Sequence, residues 1–254
     1  MSIHSEVKAG NVNFGGKSEA EVMTDWKTFW NDYPASAGEQ DFLVQVGHTE
    51  GGQPYSQQQF DAMLGSIRTA LGLAPGDRLL DVCCGNGIVT SALAEACSLS
   101  VGVDFSAPLL GIAKLHNGAG NIRYVLGDAL NIGQTAFEGG GRFNRILLYA
   151  ALQHFETGDL PRLLSGLSTH AEDGAVILIG GILDASRKHL YLDTPEKILR
   201  YERYRNEGRD RLGTWWEPAL LRDTCKAFGF GCDIDQATPA RPGAQFRFDA
   251  RITA

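Results

Sequence analysis

The sequence predicts an α/β fold: a doubly wound, mostly parallel seven-stranded sheet with helices on both faces, an N-terminal helical lid and an insertion before the last helix. Three observations carry this. From residue 78 onward, short apolar runs rich in branched residues alternate with stretches of helical spacing. Acids close or follow the first three runs, Asp81, Asp104 and Asp128, at separations of 23 and 24 residues that match one strand-helix unit. The last run is reached through a turn containing Pro239 and Pro242 rather than through a helix, which predicts an antiparallel hairpin.

Taken in order, residues 1 to 17 combine Gly10, Gly15 and Gly16 with Asn11 and Asn13 and show no periodicity, the pattern of a mobile arm able to order over a ligand. Between residues 19 and 33, Val22, Trp26, Phe29, Trp30 and Tyr33 recur at three-and-four spacing and Pro34 stops the run. This predicts an amphipathic helix whose aromatic face is core, with a second role as a lid. Ser56 with Gln59 three residues on is a capping-box pair; Phe60, Met63, Leu64, Ile67 and Leu71 form the stripe that follows, and Gly72 closes it. The strands are then RLLDVC from Arg78, LSVGVD from Leu99, IRYVL from Ile122, FNRILLYA from Phe143, AVILIG from Ala175, FGCDID from Phe230 and QFRFDARI from Gln245. Helices fall between them, with caps expected at Ser106 and Asp159 and a last helix over residues 217 to 228. Residues 1 to 74 therefore read as arm and lid, residues 75 to 254 as the sheet domain, and residues 182 to 213, charged and aromatic, as an insertion.

Composition narrows the function. A chain of 254 residues, 43% hydrophobic and 21% charged, buries a sizeable core in one domain with insertions. Thirty acidic against 23 basic residues leave a net charge of -7, which disfavours a nucleic-acid partner. There is no basic-then-apolar start and no run of about 18 apolar residues, so a cytoplasmic protein away from the membrane is expected. Five cysteines, two of them adjacent at Cys83 and Cys84, read as free thiols rather than a disulfide framework, and without a CxxC pair no metal site is expected.

Ligands of doubly wound sheets bind outside the carboxyl ends of the strands, so the three acids should face one cleft. The turn Gly85-Asn86-Gly87 lets backbone approach a ligand before the next helix opens, and an acid at the second strand end can accept both hydroxyls of a ribose. A pyrophosphate at that helix N-terminus would face the Asp81 carboxylate, whereas a ligand with a sulfonium and an ammonium would welcome it. A dinucleotide fingerprint starting at Gly85 also fails, because Thr90 stands where a glycine is required. The turn and the ribose acid suit any adenosine cofactor, and the cation-bearing S-adenosylmethionine fits better.

These residues resemble the class I S-adenosylmethionine-dependent methyltransferases of small-molecule type, whose sheet is Rossmann-like. LLDVCCGNG matches their first motif with Asp81, Gly85 and Gly87, and places Cys83 where the first glycine is usual, as in some Cys-Cys-Gly members. The resemblance continues through GVDFS at 102 to 106, GDA at 127 to 129 and the strand ending in Tyr149, about residues 75 to 181 in all. It implies that Asp81 and the loop of Cys83, Gly85, Asn86 and Gly87 hold the methionine end of the cofactor. Asp104 would hold the ribose, Phe105 one adenine face and Asp128 the adenine amino group, with Ala129 and Tyr149 completing the site. The acceptor is then a small molecule methylated on oxygen or nitrogen.

Such transfer needs alignment, dryness and, for some acceptors, a base. His154, in YAALQHF after the fourth strand, and His48, in QVGHTEGGQPYS, are the candidates by position, since a neutral imidazole suits the task. A non-catalytic scaffold of the same fold would be expected to lose the carboxylates, and an NAD-linked oxidoreductase would need the missing glycine. GGKS at 15 to 18 is not a P-loop, because Asn11 stands where the leading glycine belongs. Arg200, Arg203, Arg205, Arg209 and Arg211 interleave with Glu202, Glu207 and Asp210, the pattern of a solvated ion-paired helix, with acceptor recognition as its functional version. Of Trp215 and Trp216, one is expected in the core and the other free to wall the acceptor pocket.

Overall fold

Every apolar run from residue 77 onward becomes a strand of one sheet in the computed structural model, which describes residues 24–137, 141–237, 239 and 241–253. The arm of residues 1 to 17 and the start of the helix expected from residue 19 lie outside the described residues. Helix α1 (Trp26–Asp32) opens on Asp25, whose carboxylate accepts from the Lys27 and Thr28 amides, and passes into a 3-10 turn, Tyr33–Ser36. The short α2 (Phe42–Gln45) and a two-stranded ribbon, β1 (Thr49–Glu50) with β2 (Gln53–Pro54), lead to α3 (Gln57–Leu71). The expected capping box of Ser56 and Gln59 is made in both directions, and Gly72, left-handed at φ 61°, ends α3.

The sheet is built from β3 (Asp77–Val82), β4 (Cys97–Asp104), β5 (Ile122–Leu126), β6 (Phe143–Tyr149), β7 (Ala171–Leu183), β8 (Gly231–Gln236) and β9 (Arg247–Thr253). Their spatial order is β5-β4-β3-β6-β7-β9-β8, the first five parallel and β9 antiparallel to both neighbours. Between them run α4 (Ile88–Ala94), α5 (Ala107–His116), α6 (Leu160–Thr169), α7 (Lys188–Tyr191), α8 (Pro195–Asn206) and α9 (Pro218–Ala227). Because side chains alternate along a strand, Leu80, Val82, Ile146, Leu148, Ile177 and Ile179 face α6 and α9, while Leu79, Leu147 and Leu178 face α3 and α4.

Four expectations shift. The stripe of α3, from Phe60 to Leu71, is buried against the sheet, so α3 is a flanking helix and not part of a lid. Strand β7 continues through Ile182 and Leu183, both fully buried, so the insertion starts after the strand at Asp184. Asp159 caps nothing in α6; its carboxylate turns back to accept from the Glu156 amide. None of the aromatic residues of α1 is core, and Trp26 and Trp30 face a cavity instead. Trp216 is fully buried, with its indole N–H donated to the Leu152 carbonyl.

The turn where β3 pivots is left-handed at Cys83, Gly85 and Gly87, with φ of 63°, 56° and 75°. Beside it, β7 carries an irregularity between Ile179 and Ile182, with Gly181 at φ 70°. No described helix is long and apolar enough to cross a membrane.

Candidate functional site

At the carboxyl end of β3, Asp81 is 3% exposed and its carboxylate accepts one described side-chain hydrogen bond, from the Thr90 hydroxyl at 2.5 Å. Burial, against the Thr90 bond and aided by the Asp104 charge, pushes its pKa up to about 7. Thr90 therefore occupies the place of a glycine for a reason visible only in three dimensions: it is the partner of the motif acid. The chain then reverses through Cys83, a non-glycine residue held at positive φ where the usual motif has glycine, a conformation that costs on the order of 1–2 kcal/mol. Glycine is required at 85 on two counts, its φ of 56° and the position of Val46, whose Cγ1 lies 2.7 Å from where a Cβ would stand.

Asp104 ends β4 and ties the two strand ends together: one carboxylate oxygen accepts from the Gly85 amide at 2.9 Å, the other from the Ser106 amide at 2.8 Å. Burial raises its pKa despite those bonds. No described lysine or arginine forms an ion pair with Asp81 or Asp104, so the described residues set two buried carboxylates side by side without a cation to meet them. Asp128 follows β5 and does have a cation, the Lys27 ammonium at 2.9 Å. Burial acts upward on Asp128, but Lys27 and the Leu130 amide outweigh it and hold the carboxyl below its ordinary range.

The Lys27 contact also fastens α1 across the strand ends. The Ser106 hydroxyl does the same by donating to the Trp30 carbonyl at 3.0 Å, and the Thr24 hydroxyl, just before α1, ties the roof to the segment after α8 by donating to the Asp210 carbonyl at 2.6 Å. Beneath this roof lies a cavity of about 320 Å³. Its floor is Asp81, Cys83, Gly85, Asp104, Phe105, Asp128 and Ala129, and its far wall is Tyr149, Ala150, His154 and His48. The structure thus brings ten of the twelve sequence-predicted site residues together.

The other two stand behind the turn. Asn86 is fully buried and Gly87 faces Tyr124; neither lines the cavity. The Asn86 amide donates to the Phe42 carbonyl at 2.8 Å and to Gln45 Oε1 at 2.9 Å, and so docks α2, three residues before His48, onto the glycine turn. The role of Asn86 in this geometry is to position the segment carrying Val46 and His48.

Both histidines are kept neutral. Burial, with the Arg247 charge adding to it, lowers His48 to about 4 and His154 to about 3. The His154 ring packs 4.2 Å from that of Trp26 and 5.4 Å from that of Trp30, and its Nδ1 is buried without a hydrogen-bond partner, as is the Trp26 indole nitrogen. Ala150, which precedes His154 by one turn, is the second non-glycine residue at positive φ (51°) among the described residues, and like Cys83 it lines the cavity. Sequence reasoning did not find Lys27, Val46, Ala150 or the facing of Trp26 and Trp30. The tryptophan pair was legible as an amphipathic stripe, but period alone does not tell a core face from a ligand face.

Outside this cavity, Trp215 lines an adjoining pocket with Lys188 and Arg205, separated from the first by Trp26. Helix α8 is solvated apart from Tyr201, and Arg209 pairs with Glu207 at 2.9 Å. Arg211 lies 5.5 Å over both Phe29 and Tyr33, gripping the outer face of α1. Among the described residues no group of three metal-ligating side chains occurs.

The family model of a methyltransferase domain matches residues 79–174, the segment from β3 to the start of β7. Among curated proteins, the chain is 28% identical over 109 residues to an uncharacterized methyltransferase of Synechocystis, covering 43% of this chain and 49% of that protein. It is 32% identical over 88 residues to a ubiquinone biosynthesis O-methyltransferase of Bordetella avium, covering 35% and 36%. The aligned part thus spans about half or less of these relatives. Among solved structures, a SAM-dependent methyltransferase of Anabaena variabilis superposes with a TM-score of 0.62 at 19% identity, covering 90% of this chain and 93% of that one. A magnesium protoporphyrin IX methyltransferase of Synechocystis with bound SAH superposes at 0.61 and 16% identity, covering 90% and 97%. At these identities the structures share the fold.

Proposed function

We infer, for a chain whose residues 79–174 are a methyltransferase domain of the class I, S-adenosylmethionine-dependent type, that it transfers a methyl group to an oxygen or nitrogen of a small-molecule acceptor. The observation that carries this is the pair of buried, cation-free carboxylates Asp81 and Asp104 on the floor of one cavity with a neutral imidazole on its wall.

The residues present fit the cofactor. A ligand carrying an ammonium and a sulfonium supplies the positive charge that Asp81, held near pH 7 by burial, lacks. Asp104 lines the cavity, and each of its two oxygens has a lone pair left after one amide bond, the capacity needed for a diol. Phe105 and Leu109 offer an apolar wall on the same side. When bound, S-adenosylmethionine supplies an electrophilic methyl carbon on sulfur. The chain supplies alignment and dryness: Trp26 and Trp30 roof the site, and Tyr149 and Ala150 set the depth to which an acceptor enters. His154 Nδ1 and His48 present neutral imidazoles that accept a hydrogen bond from an acceptor O–H or N–H and orient its lone pair.

Equilibrium titration with the demethylated product S-adenosylhomocysteine tests the reading. Wild type is expected to bind and Asp104→Ala to bind at least about tenfold more weakly, since a charged hydrogen bond to ligand is worth about 1.5–3 kcal/mol. Equal affinities in the two folded proteins would remove Asp104 from the site.

A further inference from the structure

Arg247, the first residue of β9, lies opposite Leu183 at the carboxyl end of β7, the edge of the sheet where ligands bind. Its Nη1 donates to the Gly181 carbonyl, the one hydrogen bond its guanidinium makes among the described residues, and no described carboxylate is within ion-pair distance. The nearest acid along the strand, Asp249, is committed elsewhere. It receives Arg241 at 2.6 and 3.0 Å and accepts from the Gly181 amide at 2.7 Å. Gly181, pinned from both sides in this way, is the irregular residue of β7, and a Cβ there would stand 3.4 Å from Ala150, a wall residue of the cavity. A guanidinium has five donors; among the described residues one is used here, and the Phe246 ring lies 5.7 Å from the charge.

Arg247 is half-buried, and its four remaining donors stand beside Gly181, which packs against Ala150 of the cavity wall, so they are placed to receive an anion that arrives with the ligand. The field of Arg247 reaches the wall: it opposes protonation of both His48 and His154 and acts on Tyr55 and Tyr149. We propose that Arg247 anchors an oxyanion of the acceptor, so that the acceptor class is a small molecule with an ionised carboxylate or phosphoryl group seated between Tyr149, His48 and the Gly181 irregularity. This rests on the methyl-transfer reading only for calling that molecule the acceptor.

The test is calorimetric titration of benzoate, phenyl phosphate and neutral benzamide into wild type, Arg247→Lys and Arg247→Gln, with and without S-adenosylhomocysteine. At least one of the two anions is expected to bind wild type tenfold or more tightly than benzamide. Arg247→Gln is expected to lose that preference and Arg247→Lys to retain part of it. Preference for benzoate assigns a carboxylate, and preference for phenyl phosphate a phosphoryl group. Thermal melts read the same question independently: the preferred anion is expected to raise the Tm of wild type and not that of Arg247→Gln. Anions and benzamide binding wild type alike, neither anion binding, or an Arg247→Gln protein that keeps its anion response would overturn the proposal and leave Arg247 as a pin for β7. Absence of S-adenosylhomocysteine binding would fall on the methyl-transfer reading instead, while the titrations made without it still judge Arg247.

Discussion

Replacing Asp81 by asparagine keeps the shape of the side chain and its contact with Thr90 but removes the carboxyl whose pKa burial raises to about 7. In the unfolded chain that carboxyl titrates near 3.8. The native state therefore binds the proton more tightly, and the contribution of protonated Asp81 to stability is complete below the unfolded pKa and lost as pH rises through about 7. Between about pH 5 and about pH 8 the loss comes to roughly 2.5 kcal/mol, or about 5–10 °C in Tm for a domain of this size. Wild type is expected to lose this increment on going to the alkaline side, and Asp81→Asn to show a pH dependence flatter by that amount. Differential scanning calorimetry across the range reads the difference. Parallel Tm profiles for the two proteins would refute the buried, cation-free state of Asp81.

Relief of the left-handed backbone makes Cys83→Gly neutral to stabilising by up to about 1 kcal/mol, and Cys83→Val destabilising, as chemical denaturation will show. Asn86→Ala removes two bonds to the segment before His48 and is expected to cost about 2–3 kcal/mol, with faster hydrogen exchange over residues 42 to 48; unchanged exchange there would free Asn86 of its positioning role. For His154→Ala we expect turnover to fall roughly 100-fold with S-adenosylhomocysteine affinity nearly intact. With His154 lowered to about 3 in the acceptor-free protein, a kcat/KM profile limited by free-enzyme His154 has no acidic limb between about pH 5 and pH 8; a limb there that vanishes in the variant would contradict the burial of this ring.

The sheet was legible because seven apolar runs and the strand-end acids obey local rules: period two, strand length, and one strand-helix unit between Asp81, Asp104 and Asp128. What escaped depended on approach between distant segments. Asn86 reads as a ligand-facing residue of a glycine turn until Phe42 and Gln45 are seen to claim its amide. Helix α3 was read correctly as a stripe and assigned to the lid, since nothing in a stripe says which surface covers it. Arg247 is one of the alternating residues of QFRFDARI, and its place at the carboxyl edge of the sheet follows from the hairpin register with Leu183, which local sequence does not encode. The lowered pKa values of His48 and His154 arise from burial and from that same arginine, so sequence suggested two ordinary imidazoles where the fold holds two that resist protonation.

The central claim, that Asp81 and Asp104 form the seat of a cationic adenosine cofactor, is tested most directly by titrating S-adenosylmethionine into the protein at about pH 7 in buffers of different ionisation enthalpy. Protons are counted along with the binding heat. A positive ligand beside Asp81 lowers the carboxyl pKa from about 7, so binding is expected to release a substantial fraction of one proton, with none released by Asp81→Asn and no binding of NAD at millimolar concentration. Tight NAD binding without a response to S-adenosylmethionine, or S-adenosylmethionine binding with the same proton count in wild type and Asp81→Asn, would contradict it.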